Sequence, residues 1–159
     1  MTPAEILREG LSRLQADIIR RSEEAGQRAS GRTYSLLRSE VTERGDGSTL
    51  GELFGPQYLG VLEDGRRPGK APFDFGRIIQ EWAIAKGLNF ASADPKVFER
   101  WANGVAWNIR RRGTVLYREG RQLDIFATPV KEFEAFLIAE VKAYYKTFIV
   151  EQIRDAWRS

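Results

Sequence analysis

Leu7, Leu11, Leu14 and Ile18 recur at helical spacing, while Arg8, Arg13, Asp17 and Arg20 fall mostly outside that stripe. Thr2-Pro3-Ala4-Glu5 precedes them as a capping box, with Thr2 as N-cap, Pro3 at the first helical position and Glu5 at N3. Together these predict a helix over about residues 3–24. Gly26 to Gly31 is small and polar and reads as a linker. Thr33 to Glu43, with Tyr34, Leu36 and Val41 as apolar members, predicts a strand of imperfect alternation. Gly45-Asp46-Gly47-Ser48 is a turn cluster. Leu50 to Leu62, broken by Gly55-Pro56 and Gly60, predicts one or two short strands antiparallel to the first.

The second half of the chain reads as helical. Asp74 is placed to cap a helix carrying Ile78, Ile79, Trp82 and Ala83 and stopping at Gly87. Asp94-Pro95 starts another, with Val97, Trp101, Val105 and Ile109 on one stripe, Arg110, Arg111 and Arg112 in the last turn, and Gly113 at its end. Thr114 to Tyr117 reads as a return to the sheet, and Arg118 to Gln122 as a charged turn. Thr128-Pro129 opens a closing helix over about 129–157, roughly 40 Å long at about 1.5 Å per residue. Its apolar residues form two adjoining stripes. One holds Phe133, Leu137, Val141, Tyr144 and Phe148; the other holds Ile138, Tyr145, Ile149, Ile153 and Trp157. So wide a face is met either by another subunit or by the first helix. The economical architecture is α+β: a single domain over 1–159, with a small antiparallel sheet packed by an N-terminal helix, two middle helices and a long C-terminal helix.

Composition narrows the chemistry. The 159 residues include no cysteine and no histidine. Disulfides, thiolate nucleophiles and every histidine-based triad or zinc set are therefore excluded. The longest apolar runs, such as 135–139, are far too short to span a bilayer, so no membrane association is expected. The capped, acid-containing N-terminus does not read as a signal peptide. A chain soluble in a cytoplasm is expected.

The net charge of +3 hides a strong asymmetry. Residues 1–65 carry 8 basic and 11 acidic side chains, 66–113 carry 10 and 4, and 114–159 carry 7 of each. Such a basic middle suits nucleic acid, an acidic protein partner, or a neighbouring subunit's acidic surface.

The most distinctive stretch is Leu62-Glu63-Asp64-Gly65-Arg66-Arg67-Pro68-Gly69-Lys70-Ala71-Pro72. Glycines that allow positive φ alternate with prolines that fix φ, as a held loop requires. Arg66, Arg67 and Lys70 are presented on it. It is not a phosphate loop, since only three residues separate its glycines and Ala71 follows the lysine. Glu63 and Asp64 lack a third metal ligand at a sensible spacing and read as charge balance for Arg66 and Arg67. Asp46 reads as a turn residue, because the alternating acids of a calcium loop are missing. Arg110, Arg111 and Arg112 exceed what a helix C-terminus needs. They form one basic patch with Arg66, Arg67 and Lys70 if the fold joins the two segments. Trp82 and Trp101 lie on apolar stripes and read as core. Trp107 falls off its stripe and reads as an interface anchor.

The order of these parts resembles the small tail-completion, or neck, proteins of tailed bacteriophages. The specific stretches are Tyr58-Leu59-Gly60-Val61-Leu62-Glu63-Asp64-Gly65-Arg66-Arg67-Pro68-Gly69 and Ile109-Arg110-Arg111-Arg112-Gly113-Thr114. Similar members carry an acidic residue, a Gly, one or two Arg and a Pro at this loop. The resemblance implies a non-catalytic virion protein without cofactors. It implies a homo-oligomeric ring subunit at the head–tail junction, touching neighbouring connector or tail proteins and the DNA passing through the channel. The chain would reside in the virion, and in the host cytoplasm during assembly. Glu63, Asp64, Arg66, Arg67, Lys70, Trp107 and Arg110 to Arg112 are the candidate partner-binding residues. A nucleic-acid-binding module using segment 66–113 is the main alternative. A carboxylate hydrolase on Asp46, Glu63 and Asp64 is the lesser one.

Overall fold

The computed structural model describes residues 1–88 and 94–158. The elements run α1 (Pro3–Glu24), α2 (Arg32–Ser35), β1 (Arg38–Glu43), β2 (Thr49–Phe54), α3 (Leu59–Asp64), α4 (Phe75–Ala85), α5 (Pro95–Arg112), α6 (Val115–Arg118) and α7 (Ala127–Ala156). The class is α+β, as expected.

α1 begins as its sequence requires. The Thr2 hydroxyl accepts from the Glu5 amide at 3.3 Å, and the Glu5 carboxylate accepts from the Thr2 amide at 2.6 Å. Ile6, Leu11, Leu14 and Ile18 are buried on α1, and the last three form the main core with Tyr34, Leu37 and Ile125. β1 and β2 pair antiparallel, with Val41 opposite Gly51 and Glu40 opposite Glu52. Their inner face lies on α1. A Cβ on Gly51 would sit 3.1 Å from Leu7 and 3.2 Å from Leu11. α7 packs along α1 at a second glycine, where a Cβ on Gly10 would sit 2.9 Å from the Phe133 ring.

Three segments expected as strand are helical turns. Thr33 to Ser35 belongs to α2. Gly31 precedes it at φ 77°, and its carbonyl accepts from the Tyr34 amide. Tyr34 and Leu37, three residues apart, both reach the core, which a strand's two-residue alternation does not permit. Leu59 to Asp64 forms α3 for the same reason. Leu59 and Leu62 both pack on the core, and Pro56 accepts the Leu59 amide in the turn that starts the helix. Thr114 to Tyr117 does not return to the sheet. The Thr114 hydroxyl accepts from the Tyr117 amide at 3.4 Å and caps α6.

α4 and α5 pack chiefly on one another and build a second cluster from Ile79, Ala102 and Ala106, flanked by Phe75, Trp101, Val105 and Ile109. The close approach runs through alanines. Trp82, expected in the core, is therefore 42% exposed, and Val97 is 54% exposed. Trp101 is half-buried and stacks on Phe98 at 5.8 Å.

The expected closing helix is present as α7. It has 30 residues against 22 in α1, a difference of roughly 12 Å at about 1.5 Å per residue. α1 therefore leaves the far end of α7 uncovered. Beyond Val141 the second stripe stays exposed at Tyr145, Ile149, Ile153 and Trp157. Met1, Ile6, Tyr144, Thr147 and Phe148 line an open cleft of about 470 Å³ where α1 gives out.

Candidate interaction surface

The 62–72 loop is a joint. Its first half holds the molecule together and its second half carries charge. The Arg66 amide donates to the Thr114 hydroxyl at 2.9 Å, and the Arg66 carbonyl accepts from the Thr114 amide at 2.9 Å. The Gly69 amide donates to the Arg110 carbonyl at 2.9 Å. These bonds lay the loop against the end of α5, so the segments 66–70 and 110–112 form one continuous basic surface.

The joint is tight enough to dictate its glycines. Gly113 stands at φ 78°, and a Cβ there would lie 2.6 Å from the Arg66 carbonyl oxygen and 2.8 Å from the Tyr117 ring. Gly65 stands at φ 76°, and its Cβ would lie 2.5 Å from the Thr114 hydroxyl.

Glu63 and Asp64 do not balance Arg66 and Arg67. The Glu63 carboxylate accepts from the Phe126 amide at 3.0 Å, and its carbonyl accepts from the Leu123 amide at 3.2 Å. A negative charge at the first turn of α7 is favourable there, because amides without helical partners and the positive end of the helix dipole meet it. Asp64 accepts from the Gln122 amide group at 2.9 Å. Asp46 accepts from the Ser48 amide and hydroxyl at 2.9 and 2.7 Å. Those bonds, the hydroxyl's foremost, hold the Asp46 carboxyl below its ordinary pKa. These three carboxylates thus occupy three separate hydrogen-bonding roles. Among the described residues no group of three or more His, Cys, Asp or Glu side chains is placed to hold a metal ion.

Arg66 is likewise part of the joint. Its guanidinium donates to the Lys70 carbonyl and lies over the Phe75 ring at 5.2 Å, and its Nε is buried without a hydrogen-bond partner. Arg67, Lys70, Arg110, Arg111 and Arg112 are exposed. Among the described residues none of them forms an ion pair within the chain, whereas Arg8, Arg13, Arg20, Arg21, Arg28, Arg38, Arg77 and Arg121 all do. Other unpaired cations, such as Arg44, Lys96 and Lys142, are spread along the chain, but these five stand together on two bonded segments.

Aromatic side chains stand among them. Trp107 is 57% exposed, with the Arg111 guanidinium over its ring at 4.8 Å. Phe73 is fully exposed. With Phe75, Asn103 and Arg110 these rings border a shallow groove of about 230 Å³. Phe73 and Phe75 escape sequence reading as site residues. Their signal is Pro72-Phe73-Asp74-Phe75, an apolar pair set off by proline directly beside the basic loop.

Exposed cations and exposed aromatic rings thus stand side by side on one surface. Compared with protein-family models, with curated proteins and with solved structures, the chain matches none. Among the described residues no helix is long and apolar enough to cross a membrane.

Proposed function

We propose that this chain is a virion structural protein of a tailed phage, an oligomeric adaptor that forms a ring at the head–tail junction or in the tail. Its role is binding, not chemistry. One observation carries the reading most directly. The loop on which the family resemblance rests is bonded to the second stretch of that resemblance, and together they present unpaired cations beside exposed aromatics. A surface held this firmly loses little entropy on docking. The exposed outer half of α7 supports the same reading, since it offers a second apolar contact strip. Immunogold labelling of purified particles tests it. Label confined to the head–tail junction or tail is expected. Unlabelled particles with demonstrably accessible epitopes would refute it.

A nucleic-acid-binding module is the second reading, and the packing of Arg111 on Trp107 favours it, because such pairs stack bases well. It requires affinity that falls steeply between about 50 and 200 mM salt. A gel-shift titration at the two salt concentrations separates the readings.

A further inference from the structure

The basic surface has a counterpart on the same chain. The outer face of the β-hairpin carries Arg38, Glu40, Leu50, Glu52 and Phe54, because residues opposite one another in register share a face. Glu40 and Glu52 stand directly opposite across the two strands. Like charges so placed repel, which disfavours the hairpin in the isolated chain. Arg38 reaches Glu40 at 3.7 Å but lies over Phe54, and Glu52 forms no ion pair within the described residues. At the exposed tip Arg44 and Asp46 offset one another, so the negative charge of this face comes from Glu40 and Glu52. The opposite face of the hairpin lies on α1, and among the described residues no other element packs extensively on either strand.

We infer that the acidic outer face of the hairpin in one copy docks on the 66–70/110–112 surface of a second copy. The match is in charge and in apolar content together. Glu40 and Glu52 meet Arg67, Lys70 and Arg110, while Leu50 and Phe54 meet Phe73 and Trp107. Among the described residues the two surfaces form no ion pair with each other, so a neighbour's contact would break none. Two different surfaces joined in this way make a head-to-tail contact, which repeats until a ring closes or a filament grows. Arg38 already meets Glu40 within the chain, so it is Glu52 that gains a counter-charge in the assembly, which favours a cationic partner. This inference rests on the ring-subunit reading and specifies which surfaces close the ring.

Charge reversal tests it with the full chain, read as weight-average mass by sedimentation at about 50 mM salt. Glu40→Lys with Glu52→Lys, or Arg67→Glu with Arg110→Glu, is expected to weaken self-association at least tenfold. The chain carrying both reversals is expected to regain it. Glu40→Gln with Glu52→Gln removes the repulsion without adding charge, and keeps the test informative if the lysine variant folds poorly. Association unchanged in either single-face variant, or no recovery when both faces are reversed, overturns the inference. So does a wild-type chain that stays monomeric and binds a DNA oligonucleotide through the same arginines. Particle labelling is indifferent to which surfaces meet, so label at the junction with association unaffected by reversal would refute the docking and leave the adaptor reading standing.

Discussion

Gly113→Ala should break the joint that positions the basic surface, and nearby glycines make the effect separable. At φ 78° an L-residue is strained by about 1–2 kcal/mol. The added Cβ would also lie 2.6 Å from the Arg66 carbonyl oxygen and 3.2 Å from the Pro68 ring, neither of which is the far end of a flexible chain. Relief requires the loop to retreat, which breaks the two bonds between Arg66 and Thr114 at about 1 kcal/mol each. The expected loss is about 3–4 kcal/mol, or on the order of 10 °C in Tm for a chain of this size. Gly120 shares the positive φ, at 62°, but has open space around it. Gly120→Ala should therefore cost about 1 kcal/mol at most, since a stiffer unfolded chain offsets part of the strain. Gly104 lies inside α5 with nothing near its missing Cβ, so Gly104→Ala should stabilise by about 0.5–1 kcal/mol. Urea unfolding at constant m ranks the three. If Gly113→Ala is no worse than Gly120→Ala, the loop is not held as described, and the argument from a preorganised surface fails with it.

Ser22→Ala should leave stability unchanged or raise it by about 1 kcal/mol, because the Ser22 hydroxyl is fully buried without a hydrogen-bond partner; a midpoint shift in urea reads it. The Thr128 hydroxyl and amide, then Arg21, hold the Asp124 carboxyl below its ordinary value of 3.8. Its contribution is complete above that value and lost as pH falls through the lower folded value. Asp124→Asn should therefore flatten the acid limb of a Tm-against-pH profile and leave its slope near neutrality unchanged. Ending the chain after Phe148 should change stability by less than about 1 kcal/mol, because the residues removed are exposed. The same truncation should prevent incorporation into particles, read by immunoblot of purified virions. Arg66→Ala should cost about 1–2 kcal/mol through its lost bond to Lys70 and its packing on Phe75, while Arg67→Ala should lie within about 0.5 kcal/mol of wild type in the same urea assay.

What the sequence made legible was what it repeats or punctuates. α1 carries a capping box and a stripe over many turns, and it forms as predicted. The hairpin turn carries Gly45-Asp46-Gly47, and it too forms where expected. α2, α3 and α6 are too short to display a helical period, and their tyrosines, valines and leucines favour strands by composition. The partner they reach decided their conformation. Trp82 misled for a different reason. Hydrophobicity ranks tryptophan above alanine, but α4 and α5 approach closely enough that Ile79, Ala102 and Ala106 occupy the contact, and the larger Trp82 is left outside. The charges of the candidate surface were plain in the sequence, but their union was not. It depends on main-chain bonds from Gly69 to Arg110 and between Arg66 and Thr114, which no side-chain pattern announces.

That union also divides labour between neighbours in the chain. Arg66 and Arg67 are alike in sequence, yet one guanidinium is spent inside the joint and the other stands in solvent. Glu63 and Asp64 divide similarly, one at the start of α7 and the other on Gln122. A loop of purely local function would not need its acids to fasten α7 and its glycines to admit Thr114 and Tyr117. A loop of purely structural function would not gather cations without counter-charges, since their mutual repulsion disfavours the folded chain. The proposed adaptor role accounts for both demands: the acids and glycines hold the joint, and the charged side is the part that the proposal assigns to a neighbour.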